Sequence, residues 1–209
     1  MRCLAFLKRL LFVKERQMDK VVCTFSYGLC VISVEKIKVF LKEKKVRTKK
    51  LLSLFQDNKE KFLKSQENGV WMPIPQINAG KYIIKVVGFD ALFSDDFEEK
   101  FEYEGFNIDI IDGVWIGDIE LMQPFEKDVY CGDSISYQTI DGYTRYSGFK
   151  YDIPKGKYLI CVKGYARKEI VDRKAINYGF QFKFKKIDEF NGYKNPREEK
   201  YDFNVANMK

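Results

Sequence analysis

The densest run of reactive groups in this chain is acidic. Asp95, Asp96, Glu98, Glu99, Glu102 and Glu104 fall close together, and Asp109, Asp112, Asp118 and Glu120 follow. Carboxylates spaced like this can do one of two jobs. As a pair they can give and take a proton, if their surroundings drive their pKa values apart. Ranged over a surface they attract a basic partner and speed its arrival. The first job is disfavoured here. Adjacent Asp95 and Asp96 would point to opposite faces of a strand, and in a loop both would simply be solvated. The chain also has no histidine. That removes the usual acid–base residue, the commonest metal ligand and every Ser–His or Cys–His nucleophile. Carboxylate-only or lysine-based catalysis stays open, but no enzyme is expected.

Charge is segregated along the chain. Residues 90–141 hold 15 acidic and 2 basic residues, whereas residues 1–69 hold 17 basic and 7 acidic ones. The net charge of +7 therefore hides one acidic block between two basic ones. The plain reading of the acidic block is a solvated loop that pairs with the protein's own lysines. The functional reading is a surface for a basic partner. The basic block carries Lys42, Lys44, Lys45, Arg47, Lys49 and Lys50, which could grip nucleic acid directly. It has few aromatics for base stacking and no nucleic-acid motif, so direct nucleic-acid binding is the lesser reading.

Cys3, Cys23, Cys30, Cys131 and Cys161 are odd in number and show no C-x-x-C spacing. They read as small buried hydrophobes in a reducing cytoplasm, with one disulfide plus leftover thiols as the alternative. No Gly-rich phosphate loop, zinc spacing or EF-hand pattern is present, so no cofactor and no metal are expected.

The elements that must position these groups read as strands. Aromatics reach 16 %, with 18 Phe and 13 Tyr, which favours sheets. Val21–Val34 reads as one kinked strand, or as two short strands around Gly28. Lys49–Lys64 has near-helical apolar spacing and is expected to be a helix on the sheet edge or face, with Thr48 as its cap. Then the chain repeats itself. INAGKYIIKVVGF (Ile77–Phe89) and IPKGKYLICVKGY (Ile153–Tyr165) share seven identities in thirteen. Tyr82, Ile84 and Val86 share one parity, as do Tyr158, Ile160 and Val162, so the repeated face is the expected core face. Gly105–Ile110 and Gly179–Phe184 alternate apolar and polar in the same way. Each unit is thus strand, tight turn, strand, long loop, strand. Such a unit cannot bury its apolar face alone, and two related halves over one core make a sandwich. Asp112-Gly113 is the pair favoured in two-residue hairpin turns.

The fold expected is mostly β: a two-sheet β-sandwich from two related halves, with one or two peripheral helices. The domain reading is a basic N-terminal extension at 1–17, one sandwich domain at 18–190 and a polar C-terminal tail at 191–209 that frays. The stretch MRCLAFLKRLLFV is too short to span a bilayer. It reads either as a basic amphipathic segment or as sequence ahead of a true start at Met18.

The order of FSYGLCVISV, a polar helical stretch, GVWMPIPQINAGKYIIKVVGF, EEKFEYEGFNIDIIDGVWI, FKYDIPKGKYLICVKGY and NYGFQFKF resembles the competence protein J family, small inhibitors of a DNA-entry nuclease. Tyr151–Tyr158 (YDIPKGKY) is the most telling piece, and the resemblance covers roughly residues 21–186. The chain departs from the family in its basic N-terminal segment, its polar tail and its positive net charge. Small β-sandwich immunity proteins of toxin systems would look much the same. The resemblance implies a cytoplasmic, non-catalytic inhibitor whose partner is a basic nuclease of the DNA-entry or toxin type. Asp95, Asp96, Glu98, Glu99, Glu102, Glu104 and Asp112 are the candidate partner-binding carboxylates, covering the partner's basic cleft, with Tyr103 and Trp115 as aromatic anchors. Phe106 is better read as core. The alternative is a carbohydrate- or surface-binding sandwich using exposed Tyr and Trp. Oligomeric state is left open.

Overall fold

A computed structural model describes residues 19–172 and 175–208. The extension at 1–17 and Met18 lie outside the described residues.

Val21–Val34 forms two strands, β1 (Lys20–Thr24) and β2 (Gly28–Ile32), and they belong to different sheets. The turn between them carries Tyr27 in the left-handed region, at φ 55°. It is tied by the Thr24 hydroxyl, which donates to the Gly28 carbonyl at 3.0 Å. Gly28 is required by close approach: a Cβ there would lie 3.1 Å from the Ile74 carbonyl oxygen.

Three helices follow rather than one or two: α1 (Val34–Glu43), α2 (Leu51–Asp57) and α3 (Lys59–Glu67). The lysine-rich α1 is amphipathic, burying Val34, Ile37 and Phe40 one turn apart. The single helix expected over 49–64 is split by Asn58. Its backbone is extended and its side chain accepts from the Lys61 N–H at 2.9 Å, so it caps the second helix.

The remaining strands are β3 (Trp71–Pro75), β4 (Gly80–Val86), β5 (Phe97–Ile110), β6 (Val114–Asp118), β7 (Ser134–Gln138), β8 (Thr144–Tyr151), β9 (Gly156–Arg167) and β10 (Tyr178–Ile187). One sheet runs β1-β4-β10-β9-β5 and the other β3-β2-β6-β8-β7. Among the paired strands of the described residues, β4–β10 is the parallel one. The protein is therefore a mostly β, two-sheet fold, and the helices add a third layer. Between the sheets lies the main core, including Val22, Leu29, Ile84, Ile116, Val162 and Phe180. Alternate residues of the second sheet, among them Cys30, Ile32, Trp71 and Trp115, turn the other way into a second core with Phe40, Phe55 and Phe62 of the helices. Strands β3, β2 and β6 of this sheet are buried on both faces, which is why β2 is apolar throughout.

The internal repeat has a geometric cause. β3 and β8 lie in the second sheet, β4 and β9 in the first. Each GKY unit is thus a corner where the chain crosses between sheets. In both corners a tyrosine hydroxyl donates to the carbonyl four residues back: Tyr82 to Asn78 at 2.7 Å and Tyr158 to Pro154 at 2.8 Å. The repeated face (Tyr82, Ile84, Val86; Tyr158, Ile160, Val162) is buried in the core as the parity required. The halves interleave across both sheets rather than supplying one sheet each. Gly88 and Gly164, matched in sequence, do different jobs. Gly88 is left-handed and past the end of β4, whereas Gly164 lies mid-strand beneath the Phe101 ring, 2.2 Å from where a Cβ would sit.

Two further expectations are corrected. Asp112-Gly113 joins β5 of the first sheet to β6 of the second, so it is a crossover and not a hairpin turn. The C-terminal tail does not fray: Phe203 and Val205 are buried in the main core, and Tyr201 packs on it. Alternating apolar side chains at 201, 203 and 205 give this segment a strand-like buried face despite its polar composition.

Candidate functional site

The acidic stretch expected to be a loop is mostly strand. Asp95 and Asp96 form the turn entering β5, and Glu98 to Glu104 lie within β5 itself. The alternation is hidden by two β-bulges, between Glu99 and Phe101 and between Glu104 and Phe106. Each adds a residue and resets the inward face, so Phe101 and Phe106 both point to the core, while Phe97, before the first bulge, lies opposite Arg167 and packs on Phe93. The carboxylates are left outside. β5 is an edge strand, so they stand along one side of the sandwich.

β9 supplies their counter-ions. The Lys163 ammonium lies 3.0 Å from Glu99 and 3.1 Å from Glu102. Arg167 pairs with Asp96, and Lys100 of β5 itself lies 2.6 Å from Glu98. The Ser94 hydroxyl, which donates to Asp96, lowers the Asp96 carboxyl below its usual range, with Arg167 adding to the effect. Glu98 is lowered by its hydrogen bond from Lys100. Glu102 is lowered first by the Cys161 thiol, which donates at 3.2 Å, and then by Lys163. Lys163 is raised, chiefly by its hydrogen bond to Glu99. Asp95 and Glu104 are exposed and form no ion pair among the described residues. All these pairs are solvent-facing, where such bridges hold little free energy and exchange partners readily.

The two expected aromatic anchors are not surface anchors. Trp115 is 2 % exposed and packs edge-on against Tyr130 in the helix-side core. As a mid-strand residue of β6, which is covered on both faces, it cannot reach a partner. Tyr103 is half-buried, stacked on Phe101 at 4.7 Å, with the Tyr201 ring edge-on at 5.2 Å. Trp71 is fully buried too, so neither tryptophan can serve a sugar-binding surface. Phe106 is core, as read. Asp112 is exposed near the far end of β5, 3.7 Å from Lys150, and stands apart from the 95–104 group.

Sequence reasoning missed Lys163 and Arg167, which set the charge balance of the edge, and Tyr201 and Phe203, which pack on Tyr103 behind it. The alternation in YDFNV was the available signal for the last group. Of the cysteines, Cys23 and Cys30 are buried, Cys131 is exposed and Cys161 is half-buried; all four are free thiols. Exposure at Cys131 departs from the expected burial, because it lies in the irregular β6–β7 connection rather than in a strand. Burial and then the Glu102 hydrogen bond push the Cys161 thiol up to about 12, which makes it a poor nucleophile at neutral pH.

Among the described residues, no three His, Cys, Asp or Glu converge to hold a metal ion, and no helix is long and apolar enough to cross a membrane. Lys42, Lys44, Lys45, Arg47, Lys49 and Lys50 are exposed around the α1–α2 connection, with one ion pair, Lys49 to Glu126. The fold and this surface define a mostly β sandwich with a helical third layer and an acidic edge. Comparison with known protein families, with characterised proteins and with solved structures finds no match.

Proposed function

We propose that the protein is a non-catalytic binding protein that covers the basic surface of a protein partner, a nuclease of the DNA-entry or toxin type, in a cytoplasmic setting. The observation that supports this most is the edge position of β5. Its carboxylates form an exposed row backed by Phe101 and Phe106 in the core, so charge is displayed on a packed support. A cationic partner can take over the exposed pairs of Lys163 and Arg167 at little cost and meet Asp95 and Glu104 unpaired. Affinity capture from a lysate of the source cells, at low and moderate salt, tests the reading. A basic nuclease that elutes as salt rises and is inhibited in a cleavage assay is the expected result. Capture of no protein overturns it.

One observation favours a second reading, nucleic-acid binding. Among the described residues, five of the six cations around the α1–α2 connection lack an ion pair. Retained nucleic acid with no captured protein would favour that surface, with a salt slope reporting the phosphates contacted.

A further inference from the structure

A groove of about 830 Å³ runs between the β1–β2 turn, β3, α2 and the C-terminal segment. It adjoins the acidic edge, because Tyr201 lines the groove and packs on both Tyr103 and Phe106 of β5. Its donors are side chains, among them Ser26, Gln56 and Gln76, and its prolines add none. Pro73, Pro75 and Pro196 line it, and proline has no N–H to offer. The lining cation, Arg197, is already committed. Its guanidinium lies 3.8 Å from the centre of the Phe62 ring and donates to the Phe55 carbonyl at 2.9 Å. Against this stand Glu199 and Asp202 as acceptors and the Tyr27 ring, 66 % exposed, as an open π face. Proline rings can pack the aliphatic stem of a long side chain, carboxylates can accept from its head, and a tyrosine face attracts a cation. Among the described lining residues, an anion would find no free cation.

We infer that this groove receives an arginine or lysine side chain from an extended basic segment of a protein partner. The inference rests on the reading of a basic partner and adds a second, shape-dependent contact beside the acidic edge. Tyr27 is held in a left-handed backbone that glycine would adopt freely, so the ring and the backbone can be separated by substitution.

The test is a titration of the full-length, isotope-labelled protein with a short oligo-arginine peptide, with a neutral oligosaccharide as control. The expected result is movement of the Tyr27, Gln76 and Asp202 resonances by the peptide alone. Tyr27→Gly should weaken binding up to about fivefold, the upper range for a cation over an exposed ring, without lowering the melting temperature. The isosteric pair Glu199→Gln and Asp202→Asn should weaken it as well, in case Tyr27→Gly disturbs the turn. Shifts confined to β5 would overturn the groove but leave the acidic-edge reading standing. Shifts nowhere would overturn both. Groove shifts with the oligosaccharide and none with the peptide would overturn the cation assignment.

Discussion

Phe203→Ala is the sharpest test of the packing described above, because it lies in a segment whose composition reads as disordered. Phe203 is 1 % exposed. Its ring meets Phe101 edge-on at 5.8 Å and Tyr103 edge-on at 5.4 Å, and Tyr201 lies alongside at 6.3 Å. Removing the ring loses about 2–3 kcal/mol of transfer free energy. The hole left among rings anchored on β5 adds a cavity term, for a total of about 3–5 kcal/mol. A chain of this length loses about 2–4 °C of melting temperature per kcal/mol, so the melting temperature should fall by roughly 10 °C. Circular dichroism melts and urea titrations of the full chain read both numbers. Phe203→Leu, which keeps much of the apolar contact, should lose less than half as much. Melting within about 2 °C of the parent, less than 1 kcal/mol, would refute the claim that this segment belongs to the cooperative fold.

Other consequences can be checked with the same material. Tyr82→Phe and Tyr158→Phe each remove one corner hydrogen bond, and each should cost about 1 kcal/mol in urea unfolding; two unchanged midpoints would deny the corners a structural role. Asp95→Lys with Glu104→Lys changes only exposed, unpaired carboxylates, so stability should hold to about 0.5 kcal/mol. The same pair should slow association with a captured basic partner about tenfold at low salt, and equal on-rates would remove β5 from the interface. At pH 8 a thiol reagent should label Cys131 quickly and Cys161 slowly, and rapid modification of Cys161 would contradict its hydrogen bond to Glu102. Glu102 is depressed in the folded state, so its contribution is present above the unfolded value, about 4.3, and is lost as pH falls through the lower folded value. Glu102→Gln should therefore flatten the acid limb of a stability–pH curve, and an unaltered limb would show that the thiol and Lys163 do not hold this carboxylate.

Legibility followed burial. GKY with alternating apolar residues revealed both strands and their inner face, because one buried face imposes a period of two. It did not reveal that both strands share a sheet, since pairing depends on partners far along the chain. β5 resembled a loop because its bulges break the alternation and its outer residues are charged. Its acidic character was plain from sequence, but the pairing with Lys163 and Arg167 was not, because those cations arrive from a strand more than sixty residues away. Trp115 looked like an anchor because nothing in VWIGD shows that helices cover the outer face of its sheet. The helix over 49–64 was half legible: its apolar spacing was real, and Asn58 was the unread cap. The tail was misjudged on polarity, where Phe203 and Val205 outweigh their charged neighbours.

The parallel pairing of β4 with β10 also constrains how the chain is made. β4 is complete by Val86, yet its inner neighbour is not synthesised until Tyr178–Ile187. β5 likewise waits for β9. A chain emerging from the ribosome therefore displays unpaired strand edges while the residues between β4 and β10 are made, and the first sheet closes only once β10 has emerged. Carboxylates along β5 repel copies of the same edge on neighbouring nascent chains, so the row guards the unfinished protein against self-association.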